Sequence, residues 1–582
     1  MNLLLVAVAG MLAIAVTAQL GPRIGVASPL ILLALSITIS FLPWVDAIEL
    51  APAIVLEVIL PPLLFGAAAS MPVMDFRRDL TAVSGLAIGL VALSALVLGF
   101  TIHTLIPAIT LPWAVALGAV LSPTDAVAIS IARGRGVSHR IITVLEGEGL
   151  FNDATALVLL SAATSSALRT KEHALAPLNL GINFLIALVI AILVGLLVGE
   201  LGVRVRAKIT EPAADTVFSF TMPFLASIPA EHLGGSGLVA AVVAGLIVSY
   251  RRVGLIPAQN RRFAQQNWRT LEFVLEGLVF LTMGLQAFGI VTDVYGGNMG
   301  LGRAALVAII AGLLTVLVRA LFVATFLAFL AYSRKHHRWR LERIDEHIRY
   351  HEERIAHACD RADELMEASD LTQEQLDAAI AKWHSRVEVG KRRLARKGND
   401  LKYWLREPLG PREGSVIVWA GMRGAVTLAA AQTLPLTAPA RSFMLLVALL
   451  VAAGSLVIQG LSLPLLIRLV KPQLAEESHD EEERERLFAL LRSRVKDSAL
   501  SHSIAENRPV SGASAPLTGV PLSGRAWPAF TEERTRVLAL ESIHQQREAL
   551  IEARDDGVFS SAVLERCLER IDYEEILLAQ RH

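Results

Sequence analysis

Hydrophobic residues in this chain come in long blocks rather than in the short alternations of a soluble fold. Apolar segments of roughly 17–25 residues, enough helix to cross a bilayer core, recur near 2–20, 27–43, 51–69, 80–103, 107–130, 140–167, 177–203, 214–230, 235–250, 268–290, 302–332, 412–434 and 440–470. They predict an all-α polytopic membrane protein with thirteen transmembrane helices. Two charged stretches break the pattern. Residues 333–411 read as a cytosolic helical hairpin, with Leu341, Ile344, Ile348 and Ile355 on its first helix. A break at Ser369-Asp370-Leu371-Thr372 precedes the second helix, which opens on a Thr372…Gln375 capping pattern. Residues 471–582 read as a cytosolic tail: an acidic helix from Glu476 to Arg494, a Ser/Pro/Gly-rich linker at about 497–528, and two amphipathic helices from Glu532 onward. The membrane domain therefore divides into 1–332 and 412–470, around the hairpin.

Composition sharpens this division. The mean hydropathy is +0.53, and 54 basic residues balance 54 acidic ones, yet only 35 of the charged residues lie in the first 330. Basic residues also alternate between loops. Arg23, Arg77, Arg78, Arg133, Arg135, Arg140, Arg204, Arg206, Lys208, Arg251, Arg252, Arg261 and Arg262 fall on one set, against Arg169, Lys171 and Arg303 on the other. The positive-inside rule places the first set in the cytoplasm, so the N-terminus lies outside and the C-terminus inside. No basic residue precedes Arg23, so the first apolar block reads as a retained helix and not as a cleaved signal. Cys359 and Cys567 sit in charged stretches, give no disulfide framework and fit a reducing face.

The candidate chemistry lies in two adjacent blocks. Ser122-Pro123-Thr124-Asp125 interrupts the fifth, and Glu148-Gly149-Leu150-Phe151-Asn152-Asp153 runs through the sixth. A charge at membrane depth costs at least ~2.5 kcal/mol, so such residues face a cavity, a partner or an ion. Asp125 and Asp153, with no basic residue nearby in sequence, point to a shared site for a cation or a proton. If spans 1–6 and 8–13 form inverted repeats with span 7 as linker, span 5 matches span 12, which carries Gly421-Met422-Arg423-Gly424. Pro123 breaks the first helix and the two glycines allow the second to unwind. Freed carbonyls near Thr124 then bind a cation, while Arg423 offsets the negative helix ends. Glu148 and Glu276 need cationic partners within the membrane. The expected pairs are Glu148 with Arg423 and Glu276 with Arg319, read as a structural network that satisfies buried charge. Glu57 is a further acidic residue in an apolar block, and His103, His139, His173 and His232 read as solvated residues at span ends.

These segments, together with Leu60-Pro61-Pro62-Leu63-Leu64-Phe65 and Glu276-Gly277-Leu278-Val279-Phe280, resemble the sodium/proton exchanger (NhaP/NHE) branch of the cation/proton antiporters over residues 1–330 and 412–470. The resemblance implies a thirteen-helix fold with a dimer domain, a core domain and two crossed discontinuous helices. It implies homodimers in the plasma membrane and an elevator-like exchange of one Na⁺ for one H⁺ that serves pH and sodium homeostasis. By motif, Asp153 is the carrier and Asp125 its partner, Thr124 contributes backbone, and Asn152 orients the site. Asp125, Asp153 and Thr124 would hold the transported Na⁺, with Glu148, Arg423, Glu276 and Arg319 bracing the core. Many members carry Ser or Thr where Gly149 stands, so K⁺ is an alternative cargo to Na⁺ or Li⁺.

Other classes are weaker. A cation channel would show a repeated carbonyl or acidic filter. An intramembrane enzyme would show metal or nucleophile spacing, and an ATP-driven pump a Walker sequence; none stands in the chain. The reading is a secondary transporter without cofactor, in contact with lipid and not nucleic acid. Regulatory contacts of the hairpin and tail stay open.

Overall fold

The computed structural model describes residues 3–42, 53–168, 177–295, 300–360, 382, 396, 398–401, 403–404, 409–472, 481–494 and 529–580. The expected break at 369–372, the second hairpin helix and the linker at 497–528 lie outside them. Among the described residues every regular element is helical. They divide into two units, residues 1–325 with 409–475, and residues 326–408 with 476–582.

The first unit begins with α1 (Leu3–Ile24) and α2 (Ser28–Ser40), then a π-helical turn (Ile54–Ile59) that carries Glu57 and leads into α3 (Leu60–Ser70). Short helices α4 (Val73–Arg78) and α5 (Leu80–Ser84) precede a second π-helical turn (Gly85–Leu90), α6 (Val91–Leu105) and α7 (Leu111–Val120). Next come α8 (Val127–Arg133), α9 (His139–Leu168), α10 (Pro177–Arg206), α11 (Pro212–His232), α12 (Gly237–Leu255), α13 (Ala258–Leu285) and α14 (Ala287–Tyr295). Helix α15 (Leu301–Asp360) has no Gly or Pro after Gly312 and so continues without interruption through position 333, where the sequence reading began a separate hairpin helix. Helices α16 (Pro411–Trp419), α17 (Ala425–Gln432) and α18 (Arg441–Val470) complete the unit. Six described segments are long and apolar enough to cross a membrane, and four shorter apolar helices accompany them.

Small residues set the packing, as they do where lipid is as apolar as the side chains. Gly195 and Gly199 on α10, one turn apart, let that helix close onto Val243 and Ile247 of α12. A Cβ at Gly118 would run into the Ala95 carbonyl and lie 3.0 Å from the Gly99 nitrogen, so α7 and α6 touch backbone to backbone. Polar groups pin the helix ends: Arg206 clasps the buried Asp215 at 2.7 and 2.8 Å. Arg140, at the start of α9, donates to Asp79 at 2.8 and 3.0 Å. His139 lies 3.1 Å from buried Asp75, so it is tied to a carboxylate where the sequence suggested a solvated loop residue. On the outer faces, Leu185, Leu193 and Leu197 of α10 and Leu313, Leu317 and Leu321 of α15 are all more than half exposed, which suits lipid and not water.

The second unit contains α19 (481–494), α20 (Ala529–Asp556) and α21 (Ser561–Gln580). Leu487, Leu491, Leu550, Leu564 and Ile571 form its core. Glu483 accepts from the Ser560 backbone at 3.0 Å, capping the start of α21. Arg547 pairs with Asp572 and Glu575. Burial pushes the Cys567 thiol up to about 11.

The α6–α7 contact yields a stability test. Gly118→Ala is expected to lower the unfolding temperature of the purified protein, at an overpacking cost of about 1–3 kcal/mol. Gly149→Ala, where a Cβ would meet open space, is expected to leave it unchanged or raised. Equal stability of the two variants would contradict the close approach.

Candidate functional site

The site is built where two helices stop and restart. Helix α7 ends at Val120 and α8 begins at Val127, and the intervening Ser122-Pro123-Thr124-Asp125 runs without helical bonds. Pro123 lacks a donor and disfavours helical geometry at Ser122. Helices α16 and α17 are parted in the same way by Gly421-Met422-Arg423-Gly424. The two breaks are joined directly, because the Asp125 nitrogen donates to the Met422 carbonyl at 2.8 Å.

Backbone released inside a membrane domain has to be met by protein. Arg423, 3% exposed, donates through Nε to the Leu121 carbonyl at 2.9 Å and through Nη1 to that of Gly421. These carbonyls belong to the negative ends of α7 and α16, so one guanidinium neutralises both. The Arg423 nitrogen donates to Ser455 Oγ on α18 at 2.8 Å. Asp125 Oδ1 accepts from the Val127 nitrogen at 2.8 Å and caps α8. Its Oδ2 rests against Gly424, where any Cβ would overlap it.

Helix α9 brings Glu148, Asn152 and Asp153 to this junction, all buried. Asn152 Nδ2 donates to Thr124 Oγ1 at 2.6 Å, and Thr124 Oγ1 donates to Glu148 Oε1 at 3.4 Å. Thr124 thus engages its hydroxyl in this network, in addition to the backbone role that the sequence suggested. Asn152 Oδ1 and Asp153 Oδ1 are buried with no hydrogen-bond partner among the described residues. Asp125 is the charge that acts on Asp153. Two interacting carboxylates with orphaned acceptor oxygens beside them form an incomplete oxygen cage that a proton or a small cation would complete.

The ion pairs differ from both expected ones. Arg319 Nη2 reaches Glu148 Oε2 at 2.8 Å and Nη1 reaches Oε1, while Nε and Nη2 donate to the Ile417 carbonyl at 3.0 and 2.9 Å. The planar fork of arginine fits this double duty, tying α15 to α9 and α16. It fits only because residue 421 is glycine; a Cβ there would strike the Arg319 side chain. Arg423 is committed to carbonyls, so Glu148 does not pair with it. Glu276 makes no ion pair with Arg319 or with any other described residue. The sequence reading missed Ser455, the Thr124 hydroxyl and the clearance role of the glycines. The last had a visible signal, since both glycines flank a buried arginine.

The transmembrane sodium/hydrogen exchanger family matches residues 7–341. Among curated relatives, the uncharacterised Na(+)/H(+) exchanger YjcE of Escherichia coli is 35% identical over 271 residues, 45% of this chain and 49% of that protein. The sodium, potassium, lithium and rubidium/H(+) antiporter of Bacillus subtilis is 31% identical over 275 residues, 46% of this chain and 41% of that protein. The chain thus spans about half the length, or less, of these two relatives. The fold is that of the sodium proton antiporter MjNhaP1 from Methanocaldococcus jannaschii, with a TM-score of 0.54 at 16% identity, covering 81% of this chain and 100% of that one. The class is that of the monovalent cation/proton antiporter family, whose members are multi-pass membrane proteins. Within it, this chain belongs to the sodium/hydrogen exchanger family.

Breaking the Arg319–Glu148 pair tests the framework. Arg319→Ala is expected to cost about 3–5 kcal/mol by leaving Glu148 buried and unpaired. Adding Glu148→Gln to that variant is expected to restore part of the loss. Unfolding temperatures of the single and double variants measure the coupling, and strictly additive losses would contradict the pair.

Proposed function

We propose that the protein is an electroneutral sodium (lithium)/proton antiporter that exchanges one cation for one proton and serves pH and sodium homeostasis. The observation that carries this reading is the junction of Asp125 and Asp153. Two interacting carboxylates, with Asp153 Oδ1 and Asn152 Oδ1 unmatched, sit where two broken helices meet. Like charges this close bind a proton or a cation more readily than they bear each other. A cation and a proton then compete for one site, and competition is the basis of exchange. Asn152 cannot carry a proton and Glu148 is held by Arg319, which leaves Asp125 and Asp153 as the exchangeable acids of the two motifs.

The architecture proposed with it has thirteen transmembrane helices in inverted repeats, with the interrupted α7/α8 and α16/α17 as the crossed pair. It works as a plasma-membrane homodimer in lipid, moves by an elevator-like mechanism and needs no cofactor. The N-terminus lies outside and the C-terminus in the cytoplasm, with the charged hairpin and tail as cytosolic, regulatory parts. The loop-charge bias and the family likeness support these features.

One observation favours potassium as a second cargo. Gly149 offers no hydroxyl where many family members carry Ser or Thr, and a Cβ there would meet open space. The Bacillus relative carries potassium in its name alongside sodium, lithium and rubidium.

Purified protein in liposomes with an imposed pH gradient tests both readings. Na⁺ and Li⁺ are expected to collapse the gradient, and Asp153→Asn to abolish the collapse while the protein still folds. Clamping the potential with K⁺ and valinomycin is expected to leave the Na⁺-driven initial rate unchanged, although the potential is worth ~2.3 kcal/mol per charge per 100 mV. A rate that follows the potential would refute one-for-one exchange, and collapse by K⁺ alone would establish the potassium reading.

A further inference from the structure

With Arg319 committed to Glu148, Glu276 makes neither a hydrogen bond nor an ion pair to any described residue. It lines a cavity of about 560 Å³ bounded by α1, α2, α8, α13 and α18. The cavity reaches the loops at Gly25 and Arg135, beside Arg23 and Arg133, on the face that loop charge assigns to the cytoplasm. Its walls are mostly apolar. Thr17, one of the few polar lining residues, spends its hydroxyl on the Ala13 and Ile14 carbonyls at 2.8 and 3.0 Å. Among the described lining residues Glu276 is the sole acidic side chain. The charges that act on it are Asp125 and Glu272. Asp125 caps α8, and Ser130 of the same helix lines the cavity, so α8 connects the cavity wall to the paired carboxylates.

We propose that Glu276 is the intake residue for the exchanged cations on this face, a carboxylate that draws Na⁺ and H⁺ down the cavity and passes them to Asp125 and Asp153. Arg135, at the loop end, is the basic residue of the lining; deeper in, between mostly apolar walls, a carboxylate focuses field lines and concentrates cations. A purely structural carboxylate at membrane depth would carry a basic partner or a set of donors. The inference rests on the antiporter reading. It adds a residue that acts on capture from one side and leaves the carrier chemistry at Asp153.

Exchange measured in everted and in right-side-out vesicles tests it. For Glu276→Gln, the half-saturating Na⁺ and H⁺ concentrations on the cavity face are both expected to rise about tenfold, the low end of charge focusing in a cleft. Both values on the opposite face and the unfolding temperature are expected to stay unchanged, and Glu276→Asp to restore capture. Equal effects on the two faces, no effect on either, or a loss of transport that tracks a loss of unfolding temperature would each overturn the proposal. If wild-type vesicles exchange cations and Glu276→Gln matches them, this inference alone fails. If wild-type vesicles exchange nothing, the antiporter reading fails first and takes this one with it.

Discussion

Two stretches of backbone in the middle of a membrane domain leave helical geometry, and every polar group they release has to be met from inside the protein. That constraint organises the site. The Asp125 nitrogen is met by the Met422 carbonyl, the Leu121 and Gly421 carbonyls by Arg423, and the Ile417 carbonyl by Arg319. Each solution demands space as well as charge. Gly421 makes room for the Arg319 side chain and Gly424 for the Asp125 carboxylate. Once the backbone is satisfied, Asp153 Oδ1 and Asn152 Oδ1 remain among the buried oxygens without a partner among the described residues. The ends of the broken helices are thus met by protein groups, while the oxygens beside Asp125 are left for the proposed cargo.

Much of this was legible in the sequence, because proline interrupts a helix and the two glycines fall where an inverted repeat would place the matching break. Ser122-Pro123-Thr124-Asp125 and the Gly421–Gly424 stretch marked both breaks, and Asp125 with Asp153 marked the carboxylates. The pairing of Glu148 was not legible. Two acids and two arginines at membrane depth allow two assignments, and the choice turns on helix rotation and side-chain reach. Arg319, 171 residues from Glu148 in sequence, wins because its fork can hold the carboxylate and the Ile417 carbonyl together. The continuity of α15 across position 333 was not legible either, since the change from apolar to charged composition marks a boundary between parts of the chain without a helix breaker.

The correction also changes what the remaining charges do. Arg423 serves as a counterweight to two helix ends and holds the shape of the junction without neutralising a carboxylate. Glu276, relieved of a structural pairing, becomes a charge with a cavity in front of it. The family resemblance names the carrier class, but the assignment of each charged side chain comes from its contacts.

The central claim is that a proton and a monovalent cation compete for the oxygens around Asp125 and Asp153. Proton release on cation binding tests it most directly, measured with a pH indicator in weakly buffered detergent solution of the purified protein. Adding Na⁺ is expected to release protons, about one for each cation bound when the site starts protonated, and Asp153→Asn is expected to release none. Cation binding without proton release, or the same release from Asp153→Asn, would contradict the account.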